Sequence, residues 1–586
     1  MKRLQLLLFA LLMLGGTFGA NAQTQWFNPM DGEEPYICGR AWNTEIGKTY
    51  NRIPERFKAT VSRSVWVLSQ HTAGLIVRFA TTSHNIKVRY VCTSSHYGGY
   101  NMSGIDHSGI DLYGKTVDGQ VHWIGSHMGW SMNKDTTTIT FSNLSTLSYR
   151  GLEYTLYLPN YNGVKHLEIG VDQKSDFKFI HESPERPIVV YGSSIIQGAS
   201  PSRPGLAITN IVEREMEFPI INLGFSGSCM MEPAMFDMIG EINARAFVID
   251  AIPNSHSLAD TTIIARTING VNKLRAKSDA PILLCENHPI PDSVIRKDVA
   301  EDYRKANTAL HKAFKTLQSN GVKKLYYLHS GEIKFGEEYM IEGTHPNDFG
   351  CRAYADAYEK KLREMLPEDT PDPRYPPVTQ RRDGFYEWRE RHNEVVRRNK
   401  TTDPEILMIG NSITHFWGGE PKSSICNGGD SWKKLFGKHR VTNMGFGYDR
   451  IENVYWRIFH GELDECSPKH IFLMIGINNS ADKTEDIAGG IARLACLIHQ
   501  RQPGAQLHVF EILPARGREE KVKAVNQLLK EKLEQSAQVE LLEVYDTFLM
   551  KDGTGKINTE YFKGDGVHPN AKGYDLLRKR VAKIIK

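Results

Sequence analysis

The sequence predicts an all-β sandwich or jelly roll followed by two α/β domains, and three observations support this fold class. Residues 26–182 contain short runs of alternating apolar and polar residues separated by polar turns, which is typical of antiparallel strands. From Pro187 onward, apolar strands alternate with longer amphipathic segments, as in a parallel sheet flanked by helices. After a Pro-rich stretch at 366–377 the same α/β pattern begins again.

The length and the charge of the chain limit the number of domains and the kinds of partner that are expected. A chain of 586 residues is too long for one hydrophobic core, so several domains are expected. The 72 Lys and Arg residues nearly balance the 68 Asp and Glu residues, which leaves a formal charge of +4. Because this charge is small and evenly spread, neither a nucleic acid nor an anionic membrane is an expected partner.

The first 22 residues have the features of a signal peptide. Two basic residues precede an apolar run at 4–14 that is too short to span a bilayer, and Ala20 and Ala22 provide the small side chains of a cleavage site before Gln23. The alternative is a buried N-terminal helix. With no Cys at the cleavage point, a lipid anchor is not expected, and the mature protein is predicted to be periplasmic or secreted.

Changes in residue composition along the sequence divide the mature chain into four predicted parts. The predicted parts are a β-sandwich module at 23–185, a first α/β domain at 186–366, a Pro-rich linker at 367–383 and a second α/β domain at 384–586. Within the β-rich part, Asp118-Gly119 lies between two short apolar runs and predicts a β-hairpin with a type I′ turn.

The second α/β segment repeats the first. Each contains an apolar strand that ends in a Gly-x-Ser turn, at 188–194 and at 406–412. The other matched blocks are 222–227 with 443–448, 246–254 with 471–478, and 342–347 with 565–570. Any one block is explained equally well as an ordinary turn, but four blocks in the same order indicate a duplicated functional unit.

The blocks contain the parts of a serine hydrolase. A Ser hydroxyl becomes a nucleophile when a base takes its proton, an acid orients that base, and N–H groups stabilise the oxyanion. Each segment offers a Ser after a strand, a His with a carboxylate three residues earlier, and candidate donors in a backbone N–H and an Asn amide. The candidate catalytic residues are Ser194, Gly227, Asn254, Glu342 and His345 in the first segment and Ser412, Tyr448, Asn478, Asp565 and His568 in the second.

These blocks resemble those of the SGNH (GDSL-type) hydrolase superfamily, over roughly 187–365 and 384–586. The resemblance implies a three-layer α/β/α flavodoxin-like fold in each segment and the hydrolysis of esters, often O-acetyl groups on carbohydrates. The predicted β-sandwich module is similar to the N-terminal module of one such subfamily, through the Gly-x-Asp-Leu-Tyr motif at 109–113. The second segment is similar to the acetylhydrolase-like branch.

Two positions depart from the family pattern. Ser193 and Asn411 replace the Asp that often precedes the nucleophile, and little consequence is expected. Glu342 replaces the usual Asp, and its extra methylene would move the carboxylate by about 1 Å or more unless the loop adjusts, a displacement that can cost about 100-fold in rate. The first site is therefore expected to be the weaker one.

The preferred interpretation is a secreted two-site carboxylic ester hydrolase that removes acetyl groups from plant-type polysaccharides or oligosaccharides, with no metal and no cofactor. The partner is thus an acetylated carbohydrate. Tyr97, Tyr100, Trp123 and Trp130 are candidates for stacking on sugars or for core packing. The alternatives are a lipase or lysophospholipase, or a carbohydrate-binding protein with one degenerate esterase domain.

Overall fold

The computed structural model describes residues 23–129, 136–534 and 539–585. The predicted signal peptide and Trp130 lie outside the described residues. The four sheets of the described chain comprise two antiparallel sheets before residue 181 and two parallel sheets, one in each repeated segment. An all-β part therefore precedes two α/β parts, as the sequence predicts.

The β-rich region is a sandwich of two antiparallel sheets with strand orders β1-β8-β3-β6 and β5-β4-β7-β2-β9. Its strands are β1 Thr24–Phe27, β2 Ile76–Thr81, β3 Ile86–Cys92, β4 Ile110–Lys115, β5 Val121–His127, β6 Thr137–Phe141, β7 Leu152–Tyr157, β8 Val164–Asp172 and β9 Phe177–Ile180. Short α-helices span Asn43–Ile46, Arg63–Leu68 and Gly104–Ser108. Inward-facing residues of both sheets, such as Phe79 of β2 and Val88 of β3, form one core.

The predicted hairpin joins β4 to β5, with Lys115 opposite Val121. Its turn is not of type I′, because that turn needs positive φ at both central residues and only Gly119 of the Asp118-Gly119 pair has one, 85°. The connection is longer than two residues: the N–H of Thr116 donates to the carbonyl of Gln120 over 2.9 Å. The hairpin itself is confirmed, whereas the turn type was wrong.

The first α/β part has a five-stranded parallel sheet with the order β11-β10-β12-β13-β14, the flavodoxin-like 2-1-3-4-5 order. Its strands are β10 Ile188–Gly192, β11 Ile220–Gly224, β12 Ala246–Asp250, β13 Ile282–Cys285 and β14 Leu325–Leu328. Its α-helices are Ser194–Gln197, Ile208–Met216, Pro233–Ile239, Ile252–Ser255, Asp260–Arg275, Lys297–Ser319 and Asp348–Met365. Separate apolar clusters cover the two faces of this sheet, which makes three layers.

The second α/β part repeats this order as β16-β15-β17-β18-β19. Its strands are β15 Ile406–Gly410, β16 Val441–Gly445, β17 His470–Met474, β18 Gln506–Phe510 and β19 Val539–Leu542. Its α-helices are Trp388–Thr402, Ser412–His415, Gly429–Phe436, Ile451–Phe459, Thr484–Arg501, Glu519–Leu533 and Ala571–Val581. β15 to β18 are buried almost throughout, and the apolar runs of β15 and β17 fit strands that are covered on both faces.

Buried polar contacts join the three parts at one junction. Lys115 of β4 and the indole N–H of Trp456 both contact the carboxylate of Glu217, and Arg389 pairs with Glu153 of β7 over 2.8 Å. Since an unpaired buried charge is costly, these contacts hold the parts together. The predicted linker also packs against its neighbours: Thr379, Gln380, Arg381 and Asp383 are all buried.

Candidate active sites

Each candidate nucleophile lies at the carboxyl end of the strand at which the strand order reverses, where α/β folds bind ligands. Ser194 follows β10 and begins the helix Ser194–Gln197, and Ser412 follows β15 and begins the helix Ser412–His415. The residues before them, Ser193 and Asn411, cap these helices by accepting the N–H of Ile195 and Ile413. The positions at which the family often has Asp are therefore N-caps, a role that Ser and Asn also perform.

Close backbone packing holds both nucleophile helices against the neighbouring strand. A Cβ on Gly224, the last residue of β11, would lie 2.1 Å from the backbone nitrogen of Gln197. At the equivalent position, a Cβ on Gly445 would lie 2.1 Å from the backbone nitrogen of His415. No other residue fits at either place, so these glycines fix where the serines stand.

The second site contains a complete chain of hydrogen bonds. The Oγ of Ser412 lies 2.8 Å from the Nε2 of His568, and the Nδ1 of His568 lies 2.8 Å from the Oδ2 of Asp565. The other carboxylate oxygen of Asp565 accepts the backbone N–H of Val567 at 2.8 Å and that of His568 at 2.9 Å. Nucleophile, base and acid thus have the relation that activates a serine.

The first site contains the same chain. The Oγ of Ser194 lies 2.8 Å from the Nε2 of His345, and the Nδ1 of His345 contacts the Oε1 of Glu342. This carboxylate oxygen also accepts the backbone N–H of His345 at 3.1 Å. Ser194 and Ser412 are both less than a tenth exposed.

The turns that carry the two acids differ in length. In the second site the N–H of Lys563 donates to the carbonyl of His568, which encloses four residues; in the first, Ile341 donates to His345, which encloses three. Within the shorter turn, the longer side chain of Glu342 still contacts the Nδ1 of His345. The loop adjustment that would let Glu342 reach its His is therefore present.

Both carboxylates favour the ionised form. Burial opposes ionisation of Glu342, but hydrogen bonds and charge from His345, with a further hydrogen bond from Asn101, hold its pKa below the ordinary value. Burial likewise opposes ionisation of Asp565, and hydrogen bonds from His568 and Val567 hold the pKa of Asp565 low. A carboxylate that stays charged can orient the imidazole and stabilise the imidazolium that forms during proton transfer.

The candidate oxyanion donors follow β11 and β16. Gly227 and Tyr448 have nearly the same backbone conformation, with φ of 65° and 62°. This left-handed conformation suits glycine and strains a tyrosine by about 1–2 kcal/mol. The Tyr448 side chain is 54% exposed, so its ring does not pack into the core.

The two Asn candidates are held in different ways. The Oδ1 of Asn254 accepts the N–H of Cys229 at 3.2 Å, which keeps both amide hydrogens of this side chain available. The Nδ2 of Asn478 donates to the carbonyl of Asp449 at 2.8 Å, which keeps one hydrogen available. Either arrangement leaves a side-chain N–H for an oxyanion.

Three contacts of the sites had no signal in the sequence. Gln197 accepts the N–H of Ser226 through its Oε1 at 2.9 Å, and His415 accepts the N–H of Gly447 through its Nδ1 at 3.1 Å. These equivalent residues fix the loops that carry Gly227 and Tyr448. Burial, followed by the nearby arginines, lowers the pKa of His415 to about 2, so its ring stays neutral and can accept. The third contact is Asn101 of the β-rich region, which reaches the first site.

The Gly-x-Asp-Leu-Tyr motif lies at the contact with the first α/β part. The carboxylate of Asp111 is 2.5 Å from Arg203 and accepts the N–H of Gly205 at 2.9 Å, and Arg203 also donates to the hydroxyl of Tyr113 at 2.7 Å. The motif thus binds the loop that follows the Ser194 helix. Trp123 donates its indole N–H to Asp111, so it is part of this contact.

Of the aromatic residues that were considered for sugar stacking and that the structure describes, Tyr100 is the most exposed, at 92%, and it adjoins Asn101. Trp123 is about half exposed and lies under the guanidinium of Arg203. Tyr97 is half-buried. Among the residues that the structure describes, no group of three or more His, Cys, Asp or Glu side chains could hold a metal ion, and no described helix has the length and apolar character needed to cross a membrane.

Comparison with known proteins agrees with this architecture. Models of the GDSL-like lipase/acylhydrolase family match residues 185–363 and 408–576, and a model of the N-terminus of Esterase_SGNH_hydro-type proteins matches residues 24–177. The human platelet-activating factor acetylhydrolase IB subunit alpha2 is 32% identical over 203 residues, which are 34% of this chain and 83% of that protein. The rat protein of the same name gives the same identity and coverage.

A solved structure from Bacteroides ovatus, described as a GDSL-like lipase, is 30% identical. The match covers 59% of this chain and 98% of that chain, with a TM-score of 0.54. The fold and the two sites define a carboxylic ester hydrolase. The chain belongs to the GDSL-like lipase/acylhydrolase family.

Proposed function

We propose that the protein is a two-site serine esterase that removes O-acetyl groups from plant-type polysaccharides or oligosaccharides. The observation that carries the proposal is the presence of two complete chains from Ser to His to carboxylate, each with an Oγ to Nε2 distance of 2.8 Å. Two complete sites argue against a binding protein with one degenerate domain.

The proposed chemistry is the same in both sites. His345 or His568 takes the proton of Ser194 or Ser412 as the Oγ attacks the ester carbonyl, while Glu342 or Asp565 stabilises the imidazolium. The oxyanion accepts hydrogen bonds from the backbone N–H of Gly227 or Tyr448 and from the amide of Asn254 or Asn478. The imidazolium then protonates the departing alcohol, and water releases the acyl group by the same steps.

Two features support an acetylated sugar as the substrate. The relatives named acetylhydrolases favour a short acyl group. Exposed tyrosines adjoin both sites, Tyr100 beside the residue that contacts His345 and Tyr448 at the oxyanion loop, and aromatic rings are suited to contact with the faces of sugars. The lipid esters that the names of those relatives suggest form the competing substrate class.

The test is release of the carboxylic acid by the full chain: acetate from acetylated oligosaccharides and from a platelet-activating-factor-type acetyl lipid, and fatty acid from long-chain acyl esters. We expect the highest kcat/KM on an acetylated oligosaccharide and no turnover in the Ser194→Ala, Ser412→Ala double variant. A preference for the lipid would replace the substrate assignment but keep the mechanism. Full activity in the double variant would refute the mechanism.

The proposal also places the mature protein in the periplasm or outside the cell, after cleavage near Ala22. Expression of the full-length chain followed by N-terminal sequencing of the exported protein tests this location. A first residue of Gln23 is the expected result, and retention of Met1 in the cytoplasm would contradict it.

A further inference from the structure

The two catalytic carboxylates differ in the number of N–H groups that hold them. Asp565 accepts two backbone N–H groups, from Val567 and His568. Among the described contacts, Glu342 accepts one backbone N–H, from His345. The shorter turn at the first site therefore leaves its acid with one backbone donor fewer.

The side chain of Asn101 brings a further N–H group to Glu342, at the Oε1 that His345 also contacts. Its Nδ2 is 3.5 Å from the Oε1 of Glu342 and 3.1 Å from the Nδ1 of His345. Asn101 belongs to the β-rich region, more than 200 residues before the acid, and its side chain is buried although its neighbour Tyr100 is exposed. An amide N–H that reaches a carboxylate stabilises the ionised form and limits its rotation.

The loop that carries Asn101 is fixed at both ends. Gly99 and Met102 exchange backbone hydrogen bonds of 3.3 and 3.4 Å around it. Ser103 then caps the helix Gly104–Ser108 and donates its hydroxyl to the carbonyl of Ser202 at 2.9 Å. These hydrogen bonds hold the Asn101 loop both to the β-rich region and to the first α/β domain.

We propose that Asn101 is a positioning residue of the first site, which supplies to Glu342 the N–H donor that Val567 supplies to Asp565 in the second. The inference rests on the proposed function, since it assumes that Ser194 is a nucleophile. According to this proposal, a residue of the β-rich region completes the first site. In the second site, both backbone N–H donors to Asp565 come from the turn that carries Asp565.

Three substitutions of Asn101 change its contact with Glu342 in different ways. Asn101→Leu keeps the number and branching of the side-chain heavy atoms and removes the donor. Asn101→Asp keeps the shape but places a second carboxylate against Glu342, so it should be the more harmful change. A cavity of about 310 Å³ borders Asn101, Ser200 and Phe349, so Asn101→Ala would let water reach the acid and should be the mildest.

The experiment measures the first site alone, in the full chain carrying Ser412→Ala, with a small acetyl ester. We expect Asn101→Leu to lower kcat about 10- to 100-fold with KM within about twofold, the range that misplacement of a catalytic group produces. The same substitution in the Ser194→Ala chain is the matched control and should leave second-site turnover unchanged. Thermal unfolding of each variant checks that the fold is retained.

A double-mutant cycle separates positioning from general structural damage. If Asn101 acts through Glu342, then Asn101→Leu should cause little further loss once Glu342→Gln is present. Equal losses in both backgrounds, an unchanged kcat in Asn101→Leu, or an equal loss at the second site would overturn the proposal. Absence of turnover in the Ser412→Ala parent would instead refute the first-site part of the proposed function, and the inference with it.

Discussion

Arg52 and Arg391 make the same contacts in the two α/β domains, although they come from unrelated segments. Arg52, in the β-rich region, donates to the carbonyls of Asn222 and Gly224 at 3.0 and 2.9 Å. Arg391, on the helix Trp388–Thr402, donates to the equivalent carbonyls of Asn443 and Gly445 at 3.1 and 2.8 Å. Each guanidinium thus holds the end of the strand that leads to a candidate oxyanion donor.

The first prediction concerns these arginines. Arg391→Met should impair the second site and Arg52→Met the first, because each leaves buried carbonyls without donors at a cost of about 1–3 kcal/mol per group. The measurement is turnover of a small acetyl ester in chains that keep only one active Ser, together with Tm. Arg→Lys should rescue only part of the loss, since an ammonium cannot reproduce the fork of a guanidinium. A loss at the opposite site would contradict the assignment.

The second prediction concerns Glu342. Although Asp is usual in the family, Glu342→Asp should lower first-site kcat about 10- to 100-fold, because a side chain shorter by one methylene would withdraw the carboxylate from the Nδ1 of His345. The matched change, Asp565→Glu, should impair the second site, because the extra methylene would displace the carboxylate from the Nδ1 of His568 and from the backbone N–H groups that it accepts. Both are measured in single-site chains. An increase in kcat for Glu342→Asp would show that the turn does not set the choice of acid.

The third prediction concerns Tyr448. Tyr448→Gly keeps the backbone N–H and relieves a left-handed conformation worth about 1–2 kcal/mol, partly offset by about 0.5–1 kcal/mol for the greater freedom of glycine in the unfolded chain. We expect Tm to stay the same or rise, second-site turnover of a small ester to remain within about threefold, and kcat/KM for sugar esters to change more. A lower Tm would argue that the ring contributes packing.

The fourth prediction is a ranking of the sites. Ser412→Ala should remove most turnover of a small acetyl ester, since the second site draws both donors to Asp565 from its own turn. Ser194→Ala and Ser412→Ala should also differ in their preferences across acetylated sugars, because Gly227 has no side chain in the first cleft whereas the ring of Tyr448 is exposed at the second. Measuring kcat/KM for both variants over one panel decides this. Parallel profiles that differ by one scale factor would indicate redundant sites.

The fifth prediction concerns stability and pH. Burial raises the pKa of Asp250, at the end of β12, from 3.8 to about 7, although Tyr358 donates a hydrogen bond to it. Because the folded state holds this proton more tightly than the unfolded state, stability falls as pH rises from about 4 to about 7. Asp250→Asn removes the titration, so its Tm should exceed that of the parent at pH 8 and approach it near pH 4. A constant difference at both pH values would contradict the assignment.

The sequence was informative wherever function depends on short local patterns. The strands ending in Gly-x-Ser and the His with an acid three residues earlier lie within single blocks, and the structure brings their side chains together. Arg52 and Asn101 could not be recognised, because they lie far from these blocks and in a region of different fold, so only docking of the β-rich region makes them neighbours of the site. The length of the turn before His345 depends on hydrogen-bond register, which composition does not reveal.

The contact of Asp111 with Arg203 and Gly205 also limits how such a gene can be rearranged. A recombination event that copied the first α/β domain without the β-rich region would carry Ser194 and His345. It would leave Arg203 without the carboxylate of Asp111. The β-rich region and the first α/β domain are therefore expected to be inherited together. The second domain carries Arg391 on its own first helix, so a copy of this domain would keep the contact that is equivalent to that of Arg52.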